Sequence, residues 1–145
     1  MTQHATVPPP LQRLTRLPLP PLAAVYRKAA RLLAQAGHRQ TEIRTAFSCP
    51  PAPGAITIMD ALRAAAAAVC AAGTLTCQEQ AVSRLGDHAV YRLALRLEVR
   101  GQGPFWIDIA SLEEHITAWG DMPRRTTESV VAQLERAADA SERSV

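Results

Sequence analysis

Residues 58–72 read IMDALRAAAAAVCAA, a run of fifteen in which eight are alanine and only Asp60 and Arg63 are charged. Thr57 and Asp60 stand three residues apart, as in a capping box, and Gly73 supplies the residue that commonly ends a helix. A helix with so few polar residues is typical of one that other helices surround on most sides. We therefore predict a central helix here, whose alanines let its neighbours approach closely.

The whole composition agrees with a small domain built on close helix contacts. The chain has 145 residues, of which 27 are alanine and only 4% are aromatic. That length suits one domain. We find no apolar stretch long enough to span a membrane and no secretory pattern at the first residues. Three cysteines without metal-ligand spacing are typical of a reducing compartment, so we expect a cytoplasmic protein.

The ends of the chain differ from its middle. Residues 1–21 contain six prolines, which favour a flexible, Pro-rich tail. Apolar residues then recur at three- and four-residue spacing, which predicts a first helix over 21–36 and a last helix that begins near residue 127. We expect residues 139–145 to fray. The interpretation is a mainly α fold, a single helical domain of about five helices over residues 22–138.

Residues 87–100 allow two interpretations. Tyr91, Leu93, Leu95 and Leu97 alternate with polar residues, a two-residue period that predicts a strand and, with residues 105–109, one β-hairpin over 90–109. Asp87 as a cap and the strong helix formers that follow it favour a helix instead. Gly86 is expected to separate this segment from a short helix over 77–85. The alternative fold is therefore α+β.

The charge is divided unevenly along the chain. Residues 1–63 hold eight basic and two acidic side chains, while residues 64–145 hold eight basic and eleven acidic ones, for a net charge of +3. A basic surface attracts phosphates. The candidate nucleic-acid-binding residues lie in the basic half and at the start of the last helix: Arg27, Lys28, Arg31, Arg39, Arg44, Arg124 and Arg125. A genome rich in G and C would also produce such arginines without any binding role.

No pattern in the sequence predicts catalysis. The histidines are scattered, and no paired ligand spacing indicates a metal site. Cys77 beside His88 or His115 is the one conceivable cysteine–histidine pair, and we interpret the thiols as incidental. We predict no catalytic residue, no metal and no cofactor.

One segment, from residue 116 to residue 126, resembles a family of small uncharacterised actinobacterial proteins. That family carries Trp-Asn-Asp-x-Pro-x-Arg-Thr before a final amphipathic helix, and the matching positions here are Trp119, Asp121, Pro123, Arg125 and Thr126. Gly120 stands where the family prefers asparagine. The resemblance covers residues 22–138 and implies a mainly helical fold in proteins of actinobacterial genomes, plasmids and phages. The same residues also suit a structural corner, in which Arg125 pairs with Asp121 and Thr126 caps the last helix.

Three functional hypotheses follow from these observations. The first, which rests on composition and resemblance, is a non-enzymatic accessory protein of actinobacterial mobile DNA that aids plasmid transfer or spread, with a protein or DNA as its partner. The second is a small DNA-binding regulator that uses the basic N-terminal half. The third is an enzyme of unknown class.

Overall fold

A computed structural model describes residues 22–40, 54–72 and 79–143 of the chain. These residues form five helices, which are α1 (Leu22–Ala36), α2 (Ile58–Ala72), α3 (Glu79–Arg96), α4 (Ile109–Gly120) and α5 (Thr127–Arg143). Outside the helices, the described residues contain two isolated β-bridges, His38 with Ile56 and Val99 with Gln102. The prediction of a mainly α fold with about five helices is confirmed. The Pro-rich tail predicted over 1–21 lies outside the described residues.

The alanine-rich helix α2 begins where the sequence predicts. The Asp60 N–H donates to the Thr57 hydroxyl at 3.1 Å, and the Thr57 N–H faces the Asp60 carboxylate at 3.5 Å, which is the reciprocal capping box. The helix packs against α1, α3 and α4. Its buried face carries Ala61, Ala65 and Ala66, whereas Ala64 and Ala67 are exposed. It is therefore not enclosed on most sides, because an exposed alanine costs little and a lack of charge does not require burial.

The segment that allowed two interpretations is part of one long helix, so the β-hairpin over 90–109 is wrong. Leu93 and Leu97 are buried, while Tyr91 and Leu95 are exposed. Leu93 and Leu97 are four residues apart and lie on one side of the helix, and Tyr91 and Leu95 are four residues apart and lie on the opposite side. In the sequence, these two sets together produce an apolar residue at every second position. The antiparallel Val99–Gln102 bridge closes a tight turn after the helix.

Gly86 does not break this helix. A Cβ at Gly86 would lie 2.6 Å from Nη1 of Arg63, so the missing side chain makes room for the Arg63 guanidinium between helices. Arg63 then donates to Asp87 at 2.7 Å and lies 3.5 Å from Glu113 of α4. The glycine is therefore used for the contact between α2 and α3 rather than for a helix end.

Helix α1 contacts both α3 and α5. The Tyr26 hydroxyl is buried and donates to the Ala89 carbonyl oxygen of α3 at 2.7 Å. Burial raises the pKa of Tyr26, and the positive charges of Arg92 and Arg96 partly oppose that rise. On its other side α1 packs along α5. That helix continues through Arg143, and carboxylates on its last turns bind Arg27 of α1.

Candidate functional site

Arg27, the first predicted DNA-binding residue, is held by three carboxylates of α5. Its guanidinium lies 2.7 Å from Glu135, 2.9 Å from Asp139 and 2.7 Å from Glu142. Hydrogen bonds to Glu142 and Asp139 raise the pKa of Arg27 further above its ordinary value. A guanidinium whose donors already face carboxylates has little left for a phosphate. Arg27 therefore joins two helices instead of forming a basic surface.

The other predicted DNA-binding residues do not form one patch. Lys28 and Arg31 lie at the surface of α1, and Arg39 stands 4.0 Å from Asp60. Arg124 and Arg125 precede α5, whereas Arg27 contacts the far end of that helix, about 18 Å away at 1.5 Å per residue. Arg44 lies outside the described residues. The structure thus places Arg27 far from Arg124 and Arg125, whereas His38 and Gln40, which flank Arg39, contact Thr127 and Met122 of the corner that carries Arg124 and Arg125.

The Trp-x-Asp-x-Pro-x-Arg-Thr segment forms the corner between α4 and α5. The Trp119 side chain is buried, and the Arg125 guanidinium lies over its ring, 3.8 Å from the centroid. Arg125 Nε also donates to the Trp119 carbonyl oxygen at 3.0 Å, and Nη2 lies 3.5 Å from the Met122 sulfur. Burial lowers the pKa of Arg125. Arg125 thus contacts Trp119 and Met122 rather than Asp121, the partner that the sequence suggested.

Thr126 caps α5, as the sequence suggests. Its hydroxyl accepts from the Ser129 N–H at 3.1 Å, and its own N–H donates to the Ser129 hydroxyl at 2.9 Å. The next residue, Thr127, accepts the His38 N–H at 3.0 Å, which ties the segment after α1 to the start of α5. Within this motif Pro123 and Arg124 are exposed, and Arg124 has a φ of 73°.

Gly120 and Asp121 face the segment after α1. A Cβ at Gly120 would lie 2.9 Å from Cδ1 of Ile58 and 3.3 Å from Nε2 of His38. Burial lowers the pKa of His38, and the nearby Asp121 carboxylate partly offsets that effect. Gly120 therefore packs against α2 and the segment after α1. The buried residues of the motif form a structural corner.

A second arginine-rich surface, whose residues were not among the predicted DNA-binding residues, lies on α3. Its residues are all exposed and span an arc of about 140° around the helix, which ends at Arg96 beside the buried Leu93; we call them the α3 basic face: Arg84, His88, Tyr91, Arg92, Leu95 and Arg96. None of its arginines forms an ion pair with another described residue. Asp87, the carboxylate of α3 that is closest in sequence to these arginines, forms an ion pair with Arg63. The four-residue spacing of Arg84, His88, Arg92 and Arg96 was the available signal.

An open groove lies beside the motif corner. It has a volume of ≈ 580 Å³, and its walls include Val99 and Phe105 on one side and Ala118, Met122 and Pro123 on the other. His115, which also lines it, donates from Nε2 to the Leu97 carbonyl oxygen at 2.7 Å. Phe105 also lines the groove, and Phe105, Trp106 and Ile107, which follow one another in the chain, are 84%, 71% and 71% exposed.

The described residues contain no group of three or more histidine, cysteine, aspartate or glutamate side chains that could hold a metal ion. Cys70 is buried in α2, whereas Cys49 and Cys77 lie outside the described ranges. Of the five helices in the described part of the chain, none is long and apolar enough to cross a membrane.

Together these features define a small, all-helical domain with a basic helix face and an open groove. The chain belongs to the family of unknown function DUF6197, which it matches over residues 18–140. No curated protein and no solved structure matches the chain.

Proposed function

We propose that this protein is a non-enzymatic DNA-binding accessory protein, which contacts duplex DNA through the α3 basic face. The observation that carries the proposal is the set of arginines on α3 that have no carboxylate partner among the described residues. Unpaired arginines displace counterions from DNA, and that release supplies most of the non-specific affinity.

The shape of α3 supports duplex DNA as the ligand. The helix has 18 residues, and Arg84 and Arg96 lie about 18 Å apart along its axis. The major groove of B-DNA is wide enough to admit an α-helix. Tyr91 and Leu95 are exposed on the side of the helix that carries Arg84 and His88, where they offer apolar contact to bases or sugars.

The biological setting that we propose is mobile DNA of actinobacteria, in plasmid transfer or spread. The support for it is the resemblance of the motif segment together with the high alanine and arginine content, so it stands apart from the geometric argument. A translocase or replication gene beside this gene in several genomes would favour it. A consistent position inside a metabolic operon would contradict it.

A salt titration of binding to a short DNA duplex tests the geometric part. For each phosphate contact that is lost, the slope of log K against log salt falls by about one over the range of roughly 50 to 200 mM. The double variant Arg92→Gln with Arg96→Gln should lower the slope by about two. The matched control, Lys28→Gln with Arg31→Gln, removes the same charge from α1 and should leave the slope near that of the parent. Equal losses in both variants, or binding insensitive to salt, would overturn the proposal.

A further inference from the structure

The segment Phe105-Trp106-Ile107 exposes three large apolar side chains in succession. They are 84%, 71% and 71% exposed, although the described core contains many smaller residues that are fully buried. Contiguous apolar surface on this scale marks an interaction site. Burial of these side chains in a complex would therefore contribute much more than burial of the alanines that dominate this fold.

The backbone of the same segment is also unpaired. Among the described residues, the last backbone hydrogen bonds before it join Val99 and Gln102, and the next accepting group after it is the Asp108 carbonyl of the α4 start. Residues 103–107 thus carry N–H and C=O groups without partners in the described part of the chain. Such groups can form β-type pairs with a second extended segment.

The groove next to this segment offers a complementary shape. Phe105 forms one of its walls, and Ala118, Met122 and Pro123 form the facing wall. Its volume of ≈ 580 Å³ lies within the range of clefts that accommodate large apolar groups. An apolar projection therefore adjoins a groove with apolar residues in its lining, and such an arrangement allows a self-complementary, two-fold symmetric contact.

The charges around this surface favour a second copy over a phosphate-bearing ligand. Arg100 and Asp121 both line the groove, and Asp108 caps α4 directly after the exposed segment. A surface of both signs can pair with itself, whereas its carboxylates repel the phosphates of DNA or of an anionic membrane. The α3 basic face lacks such carboxylates and suits DNA for the same reason.

The available area is adequate for a dimer. Phe105, Trp106 and Ile107 together expose on the order of 450 Å², since an aromatic side chain offers about 150–250 Å². The groove walls of the same protomer are buried in the same contact. The three side chains alone supply somewhat more than half of the ~800 Å² that each partner contributes to a standard interface.

We infer that the protein forms a two-fold symmetric homodimer, in which the Phe105–Ile107 segment of each protomer lies in the groove of the other. The inference is independent of DNA binding, because it uses a different surface. It predicts that each dimer contains two equivalent contacts, each made by Trp106 of one protomer and by the wall around Ala118 of the other.

Sedimentation equilibrium of the full chain tests this inference over about 1 to 200 µM, the range in which a dimer of micromolar Kd dissociates. The parent chain should shift from monomer to dimer. Trp106→Glu and Ala118→Arg should each weaken the dimer at least about tenfold, because they charge opposite sides of one contact. Leu95→Glu, which places the same charge on the α3 basic face, should dimerise like the parent. Circular dichroism should show equal helix content in all four.

Mixing the two variants makes the test specific. A heterodimer of Trp106→Glu with Ala118→Arg retains one intact contact, so an equimolar mixture should form more dimer than either variant alone. A parent chain that stays monomeric at the highest concentration overturns the inference. So does a monomer that cosediments with phosphatidylglycerol vesicles and loses that property in Trp106→Glu, since it assigns the segment to a lipid surface. A dimer that survives both substitutions overturns it as well.

Discussion

Helices α1 and α3 both carry arginines, but Arg27 of α1 is engaged by another helix, whereas Arg92 and Arg96 of α3 are not engaged by any described helix. Arg27 of α1 meets Glu135, Asp139 and Glu142 of α5 within 3 Å. Arg92 and Arg96 of α3 are exposed and meet no carboxylate of the described residues. An arginine in the basic half of the sequence is therefore not always part of a basic surface. The neighbouring helix determines whether an arginine contributes to stability or remains available to a ligand.

The distinction predicts two kinds of variant. Substitutions at engaged arginines, or at their partners, should lower the free energy of unfolding and leave DNA affinity unchanged. Substitutions at the unpaired arginines of α3 should do the reverse. The engaged arginines include Arg125, which contacts Trp119, Arg63, which contacts Gly86, and Arg27.

Trp119→Ala should have the largest effect on stability. The indole is buried and supports the Arg125 guanidinium at 3.8 Å, so its removal leaves a cavity and an unsupported cation. We expect the free energy of unfolding to fall by about 3–5 kcal/mol, the usual cost of truncating a buried aromatic residue. Urea denaturation measures it. The half-exposed Leu95→Ala is the control and should cost far less; equal losses would show that the corner does not depend on Trp119.

Gly86→Ala should fail to give the gain that this change normally brings. Inside a helix, alanine is better than glycine by about 1 kcal/mol. Here the new Cβ would lie 2.6 Å from Nη1 of Arg63 and would displace it from Asp87. In the Arg63→Ala background that obstacle is absent, so the same change should stabilise by about 1 kcal/mol. An identical effect in both backgrounds would refute the role that we give to Gly86.

Arg27→Gln should have the smallest effect, and it should depend on salt. The side chain and its three partners are accessible to water, so the ion pairs are screened as ionic strength rises. We expect a lower thermal midpoint than that of the parent chain in dilute buffer, with the difference shrinking at high salt. Arg31→Gln, a change at an exposed arginine of the same helix, should leave the midpoint in place. A deficit that persists at high salt would indicate packing rather than charge.

Much of the fold could be predicted from local chemistry, and the functional surfaces could not. The alanine run with its capping box predicts α2 at the residues where the structure has it, and Thr126 predicts the start of α5. The prediction of a helix end at Gly86 was wrong because Gly86 packs against Arg63 of another helix. A local sequence pattern does not show contacts between helices. The alternation of Tyr91 and Leu95 with Leu93 and Leu97 indicated a strand because two apolar stripes on opposite sides of a helix give the same two-residue period. The partners of Arg27 lie more than a hundred residues away along the chain.

The exposure of the Phe105–Ile107 segment and the groove beside Phe105 both follow from the helical structure of α3. The sequence offered residues 105–109 as a second strand, which would have buried part of them in a sheet. With α3 helical, that sheet has no first strand, and the apolar side chains remain at the surface. The resemblance of the motif segment indicated an important corner, but only tertiary contacts show that Trp119 and Arg125 stabilise it.

An NMR titration of the chain with a short DNA duplex tests the central claim most directly. Backbone amide signals report each residue separately, so the two arginine-bearing helices are distinguished in one experiment. We expect the largest shifts on residues 84–96 of α3, and we expect them to weaken as salt is raised. Shifts concentrated on residues 27–39 instead, or no shift at low salt, would contradict the claim.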